Sequence, residues 1–193
     1  TKRIEALVKE SKSLAELLQK LEEEQKRLAN TPTPRQRPLA VGKNTRLSGS
    51  FTAARGKLPN PAFGELLIGF GERTPQGRSQ GIRILTRTQS PVLSPFDGTV
   101  MYAGEFRSYG EILIIQHSDG YHSVLAGMQQ LNGGVGQWVL SGEPVGKMGA
   151  ASNVFKQPKN PGGNPVLYVE LQRNGKAVDP LPWLSATIER AKP

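Results

Sequence analysis

The apolar positions change period along the chain, and each period predicts an element. Ile4, Leu7, Leu14, Leu18, Leu21 and Leu28, with Ser11 and Gln25 at the two remaining seam positions, follow a three-four alternation over four heptads flanked by Lys and Glu. That spacing predicts an amphipathic, coiled-coil-type helix over residues 1–30. The polar Ser11 and Gln25 weaken its seam. Thr31-Pro32-Thr33-Pro34 then forbids continuation, and the prolines up to Pro61 mark residues 31–62 as a basic linker and domain lead-in. From residue 63 the period drops to two. Short segments between Gly and Pro turns predict strands at Ile82–Leu85, Val92–Ser94, Thr99–Gly104, Glu111–His117, His122–Ala126, Gln137–Leu140 and Pro144–Met148. Ile112 to Ile115 is apolar on both faces, as a central strand requires. Near the end, Leu167, Val169 and Leu171 form an apolar set whose neighbours Val166, Tyr168, Glu170 and Gln172 point the other way. Asn174-Gly175 suits a type I′ hairpin turn. The expected fold class is mainly β: an antiparallel domain over residues 63–185, preceded by one helix and followed by a tail, 186–193.

Composition narrows the reading only slightly. The 193 residues are 36% apolar, enough for one modest core, and contain no cysteine. No 18-residue apolar run exists, so no membrane-spanning segment is expected. The net charge of +9 is concentrated in residues 31–92, where ten Lys/Arg face Glu65 and Glu72; the last hundred residues are neutral. A solvated linker explains such a block, and so does contact with nucleic acid, anionic lipid or an anionic wall polymer.

Motif order then supplies a resemblance. Ser94-Pro95-Phe96-Asp97-Gly98-Thr99-Val100, Tyr109-Gly110, Gln116-His117-Ser118-Asp119-Gly120, Gly142-Glu143-Pro144-Val145-Gly146 and Val166-Leu167-Tyr168-Val169-Glu170 occur in the order and spacing of the LytM domain, the M23 zinc endopeptidase domain of bacterial cell-wall enzymes. In active members the resemblance puts zinc ligands at Ser79, Arg83 and Tyr168, a further histidine at Val166 and a catalytic histidine at Gly127. None of these residues supplies a zinc site, so no metal, no cofactor and no hydrolysis are expected. His117 and His122 bracket Asp119; a hydrogen-bonded structural role suits His117. The run Gly142 to Met148 lacks the spacing and hydroxyl of a phosphate loop.

The end of the chain, from Val166 to Trp183-Leu184, resembles murein hydrolase activators of the EnvC type. That resemblance implies a periplasmic division-site protein, its signal peptide upstream, that activates N-acetylmuramoyl-L-alanine amidases without catalysis. The amidase's regulatory helix would be bound in the vacated groove, lined by Tyr168, Tyr109, Gln80, Arg83, Gln172 and Arg173 with Ser79, Val166 and Gly127. It further implies an ABC-type division transporter as partner of the coiled coil, and residues 1–30 either as its last turns or as a helix restraining the groove. Peptidoglycan is a further expected partner and nucleic acid is not. The competing reading is a peptidoglycan or anionic-polymer binding module built on the basic stretch 35–87.

Overall fold

In the computed structural model, residues 11, 13–75, 77–150 and 163–191 are described except 31–48, and the chain divides into two compact units, Thr1–Ser48 and Gly49–Pro193. The first contains helix α1 (Leu14–Asn30). Ser13 Oγ accepts the Glu16 N–H at 3.2 Å, an N-terminal cap that explains where the helix starts. Ion pairs Lys20–Glu16 and Arg27–Glu24 support its outer face. Leu14, Leu17, Leu18 and Leu21 are all buried. Leu17 is not a seam position, so the buried stripe is wider than the a/d seam expected from the sequence. The first heptad and a half of the expected coiled coil falls largely outside the described residues.

The second unit is a ten-stranded, wholly antiparallel sheet with a small separate ribbon. Its main path runs β1 (Gly64–Ile68), β4 (Ile82–Thr86), β11 (Val166–Arg173), β8 (Tyr121–Leu131), β7 (Glu111–Gln116), β6 (Gly98–Glu105) and β9 (Trp138–Val139). Strand β10 (Pro144–Met148) bridges β8 to β5 (Pro91–Leu93), and β12 (Lys176–Val178) pairs with β11. The ribbon is β2 (Arg73–Thr74) with β3 (Gly77–Arg78). Asn174 and Gly175, at φ 49° and 75°, make the two-residue turn that the sequence predicts between β11 and β12.

One sheet face carries the main core. Ile82, Ile84, Leu113, Ile115, Leu125, Leu167 and Val169 meet Val92, Val145 and Met148 there. A second cluster closes one end of the sheet, where Phe51 lies 4.5 Å from Tyr121 and 5.2 Å from Trp183 between ring centroids. Both ends of the unit are fastened to it. Ser50 Oγ and the Thr52 N–H donate to Asp119 at 2.6 and 2.9 Å, and the Phe51 N–H donates to Ser118 Oγ at 2.9 Å. Leu58 N–H bonds the Trp183 carbonyl, and Ser185 N–H bonds the Leu58 carbonyl. Residues 49–62 therefore form part of the compact unit, with Phe51, Leu58 and Ala62 buried. The tail is also engaged, because Leu66 N–H bonds the Glu189 carbonyl and Ala191 N–H bonds Leu66.

Candidate functional site

The opposite face of the sheet is where the sequence places the vacated groove, and strand register decides which side chains share it. Directly opposed residues in antiparallel strands point to the same side. Tyr168 opposes Arg83 on β4 and Ala126 on β8. Glu170 opposes Val124, and Gln172 opposes His122. Ile112 and Ile114 continue the face on β7 and Tyr102 on β6. Tyr168 and Arg83, distant in sequence, are thus cross-strand neighbours.

This face is closed to solvent. Tyr168 is 4% exposed, Arg83 8% and Glu170 3%, while Val166, Ile112, Ile114, Val124 and Ala126 are fully buried. The sequence places a partner-binding groove here, and in this structure most of its expected lining is buried. The polar groups therefore had to be satisfied internally. Tyr168 Oη donates to Glu170 Oε2 at 2.6 Å, and Gln172 Nε2 donates to Glu170 Oε1 at 2.6 Å. The Tyr109 ring, on the turn Arg107–Tyr109, lies 5.5 Å from the Tyr168 ring at 59° and 6.2 Å from Phe106.

Electrostatics follow from that burial. Desolvation raises the Glu170 carboxyl, opposed by the two hydrogen bonds it accepts. Tyr168 and Tyr109 are both pushed up, by burial first and by the Glu170 charge second, so both phenols stay protonated. Burial pulls Arg83 down, offset by the two phenols, and a guanidinium remains charged through such a shift. The face thus combines a retained cation, two neutral phenols and one carboxylate whose two oxygens each accept a bond.

The other expected residues divide. Val166 and Gln172 belong to this face, and Ser79 is buried with its Oγ turned back to the Gly81 carbonyl at 2.7 Å. Gly127 sits beside Ala126 at φ 94°, as the extra residue where Glu111 opposes Met128 and Ile112 opposes Ala126. It is a bulge position that an L side chain adopts only under strain. Gln80 is exposed on the turn before β4. Arg173 is not part of the face: it alternates with Gln172, is exposed, and lies over the Tyr121 ring at 5.2 Å. Glu170 is the member of this face that sequence reasoning did not single out. The signal was its place between Tyr168 and Gln172 in the period-two pattern.

Both histidines are buried. His117 has Nδ1 2.9 Å from the Asp97 carbonyl and Nε2 2.9 Å from Ser123 Oγ. Burial brings its pKa down to about 4. Asp119 points outward to Ser50 and Thr52, so it does not join the histidines as a metal ligand. Among the described residues no three His, Cys, Asp or Glu side chains cluster as metal ligands would.

Comparison with known proteins agrees with this geometry. The chain is 32% identical over 139 residues to the murein hydrolase activator EnvC of Escherichia coli, covering 71% of this chain and 31% of that protein. It is 30% identical over 125 residues to the murein hydrolase activator NlpD of Escherichia coli, covering 64% of this chain and 30% of that one. It therefore spans less than a third of either relative. Among solved structures, a zinc containing peptidase from Vibrio cholerae matches with a TM-score of 0.54 at 23% identity, over 69% of this chain and 40% of that one. The model of peptidase family M23 matches residues 77–180, more than half of the chain and all of the strands that build the site. The protein is a member of peptidase family M23, with a LytM-type domain similar to those of EnvC and NlpD.

Proposed function

We propose that this protein is a non-catalytic activator of periplasmic N-acetylmuramoyl-L-alanine amidases, acting in peptidoglycan cleavage during cell division. One observation carries the reading: Arg83 and Tyr168 are cross-strand partners on the face where the family holds its metal. A zinc site needs about three anionic or neutral lone-pair donors with room for water. Here a buried guanidinium repels a cation, a protonated phenol replaces an imidazole, and Ser79 is spent on its own turn. The donor set does not fit zinc, and no hydrolytic step is assigned to it.

What the face offers instead is recognition. Tyr168, Tyr109 and Arg83 supply aromatic and planar cationic surface of the kind that dominates helix-in-groove binding. An amidase whose own regulatory helix blocks its active site is activated by a partner that binds that helix, through differential affinity for the open form. Because the face is closed in the resting chain, the apparent affinity is lowered by the fraction of time it is open. Docking to an ABC-type division transporter through residues 1–30 would regulate that opening, and peptidoglycan itself would be the medium in which the complex works.

The test adds the purified protein to an autoinhibited amidase and dye-labelled sacculi. Dye release should rise with the wild-type protein and fall at least about tenfold with Tyr168→Ala, a loss of about 1.4 kcal/mol. Circular dichroism would confirm that the variant is folded. No stimulation of any amidase from the same organism would remove the reading.

A further inference from the structure

Away from the buried face, the sheet's far edge holds an open cleft of about 680 Å³ between β1 and the end of β4. Its wall includes Phe63, Glu65, Leu85, Arg87, Ser90 and Asn164. The volume lies within the ~300–1,000 Å³ that small-molecule sites occupy. Phe63 is 73% exposed, and it is the one exposed aromatic side chain among the described residues. Its presentation is built in. A Cβ at Gly64 would clash with the Leu85 carbonyl oxygen, so β1 approaches β4 closely right beside Phe63.

Three charged or hydroxyl side chains of this cleft, Glu65, Arg87 and Ser90, are uncommitted among the described residues. Thr86 has spent its N–H and hydroxyl on the Pro165 carbonyl, at 2.9 and 3.0 Å. The side chains of Glu65, Arg87 and Ser90 make no hydrogen bond or ion pair among the described residues, although Glu65 and Arg87 line the same cleft with opposite charge. An apolar ring face, an acceptor carboxylate and separate donors are together what a sugar ring requires. Its axial C–H face covers an aromatic ring, its hydroxyls donate to a carboxylate, and its acetamido or lactyl oxygens accept from arginine and serine. A polyanion alone would be repelled by Glu65, and an apolar helix would leave both charges unpaired.

We propose that this cleft binds an N-acetylated amino-sugar unit of a glycan strand, with the ring stacked on Phe63 and Arg87 meeting its amide or carboxylate oxygen. The site is separate from the Tyr168 face and does not rest on amidase activation. It would hold the protein on glycan while the other face engages its partner.

The probes are tetra-N-acetylchitotetraose, stem-peptide-free glycan strands prepared from sacculi, and free stem peptide, each titrated into the full chain labelled with nitrogen-15. The expected result is shifts of the Gly64, Glu65, Arg87 and Ser90 amides with both glycans. Phe63→Ala should weaken binding about tenfold, and Phe63→Trp should retain it. Arg87→Ala should weaken the strands, which carry lactyl carboxylates, more than the tetrasaccharide. Phe63 is exposed, so neither variant threatens the fold. Shifts of these amides by stem peptide alone, glycan shifts elsewhere on the protein, or equal glycan affinity of Phe63→Ala would each overturn the proposal.

Discussion

Glu170 and His117 are both buried titratable groups, and they tilt stability in opposite directions with pH. His117 has a folded pKa of about 4, below the unfolded value of about 6.5. Between those values the unfolded chain binds more protons than the folded one. Stability from this residue is therefore complete above about pH 6.5 and is lost as pH falls toward 4, by roughly 3 kcal/mol in all. Glu170 has a raised folded pKa, so its buried charge costs stability once pH exceeds the unfolded carboxyl value, and acidification relieves that cost. Urea denaturation at pH 7.5 and pH 5 separates the two. His117→Gln should flatten the acid-side loss. Glu170→Gln should gain stability relative to wild type more at the higher pH. Glu170→Ala should lose stability at both, because the Tyr168 and Gln172 donors lose the acceptor they share. The sequence marked Tyr168 and Arg83 through motif spacing, but gave Glu170 no role beyond its place in the motif. Its role depends on two donors at 2.6 Å, which follow from which side chains are buried together.

At the scale of elements, strand β11 shows what a period-two pattern does and does not contain. The alternation of Leu167, Val169 and Leu171 correctly identified the main core face and the strand, and Asn174-Gly175 located the hairpin. The same alternation put Val166, Tyr168, Glu170 and Gln172 on the other side, and all four are buried as well. Periodicity distinguishes two faces of a strand, whereas burial depends on what covers each, and polar residues that satisfy one another can be covered. The bulge in β8 was not legible either, since Gly127 reads as a lost histidine rather than a backbone requirement. At φ 94° it serves the offset between Glu111 and Ile112 pairing. Returning a side chain there should be costly. Gly127→Ala and Gly127→His are expected to destabilise the domain by roughly 1–3 kcal/mol, read as a lower urea midpoint. Equal stability of Gly127→Ala would show that the bulge relaxes without glycine.

The molecule as a whole is an electrically uneven body. Its net charge of +9 comes almost entirely from residues 31–92, but the fold buries one of those cations and engages two others that stay exposed. Arg83 is buried, Arg78 Nη1 bonds the Gly71 carbonyl, and Arg55 lies over the Trp183 ring at 5.6 Å. The remaining cations lie in residues 35–46 and at Lys57, Arg73 and Arg87. Wall polymers carry carboxylates, so this stretch should add a diffuse, screened attraction to whatever the two specific sites supply. Raising salt from about 0.01 M to about 1 M shortens the screening length from roughly 30 Å to roughly 3 Å. Sedimentation with intact sacculi should therefore weaken steeply over that range for the wild-type chain. Reversing Arg35, Arg37, Lys43 and Arg46 to Glu should abolish most of the salt dependence while leaving the affinity for neutral tetra-N-acetylchitotetraose unchanged. A salt slope that survives the reversal would place the attraction on the folded unit. Loss of tetrasaccharide binding on reversal would instead make the basic stretch part of the glycan site.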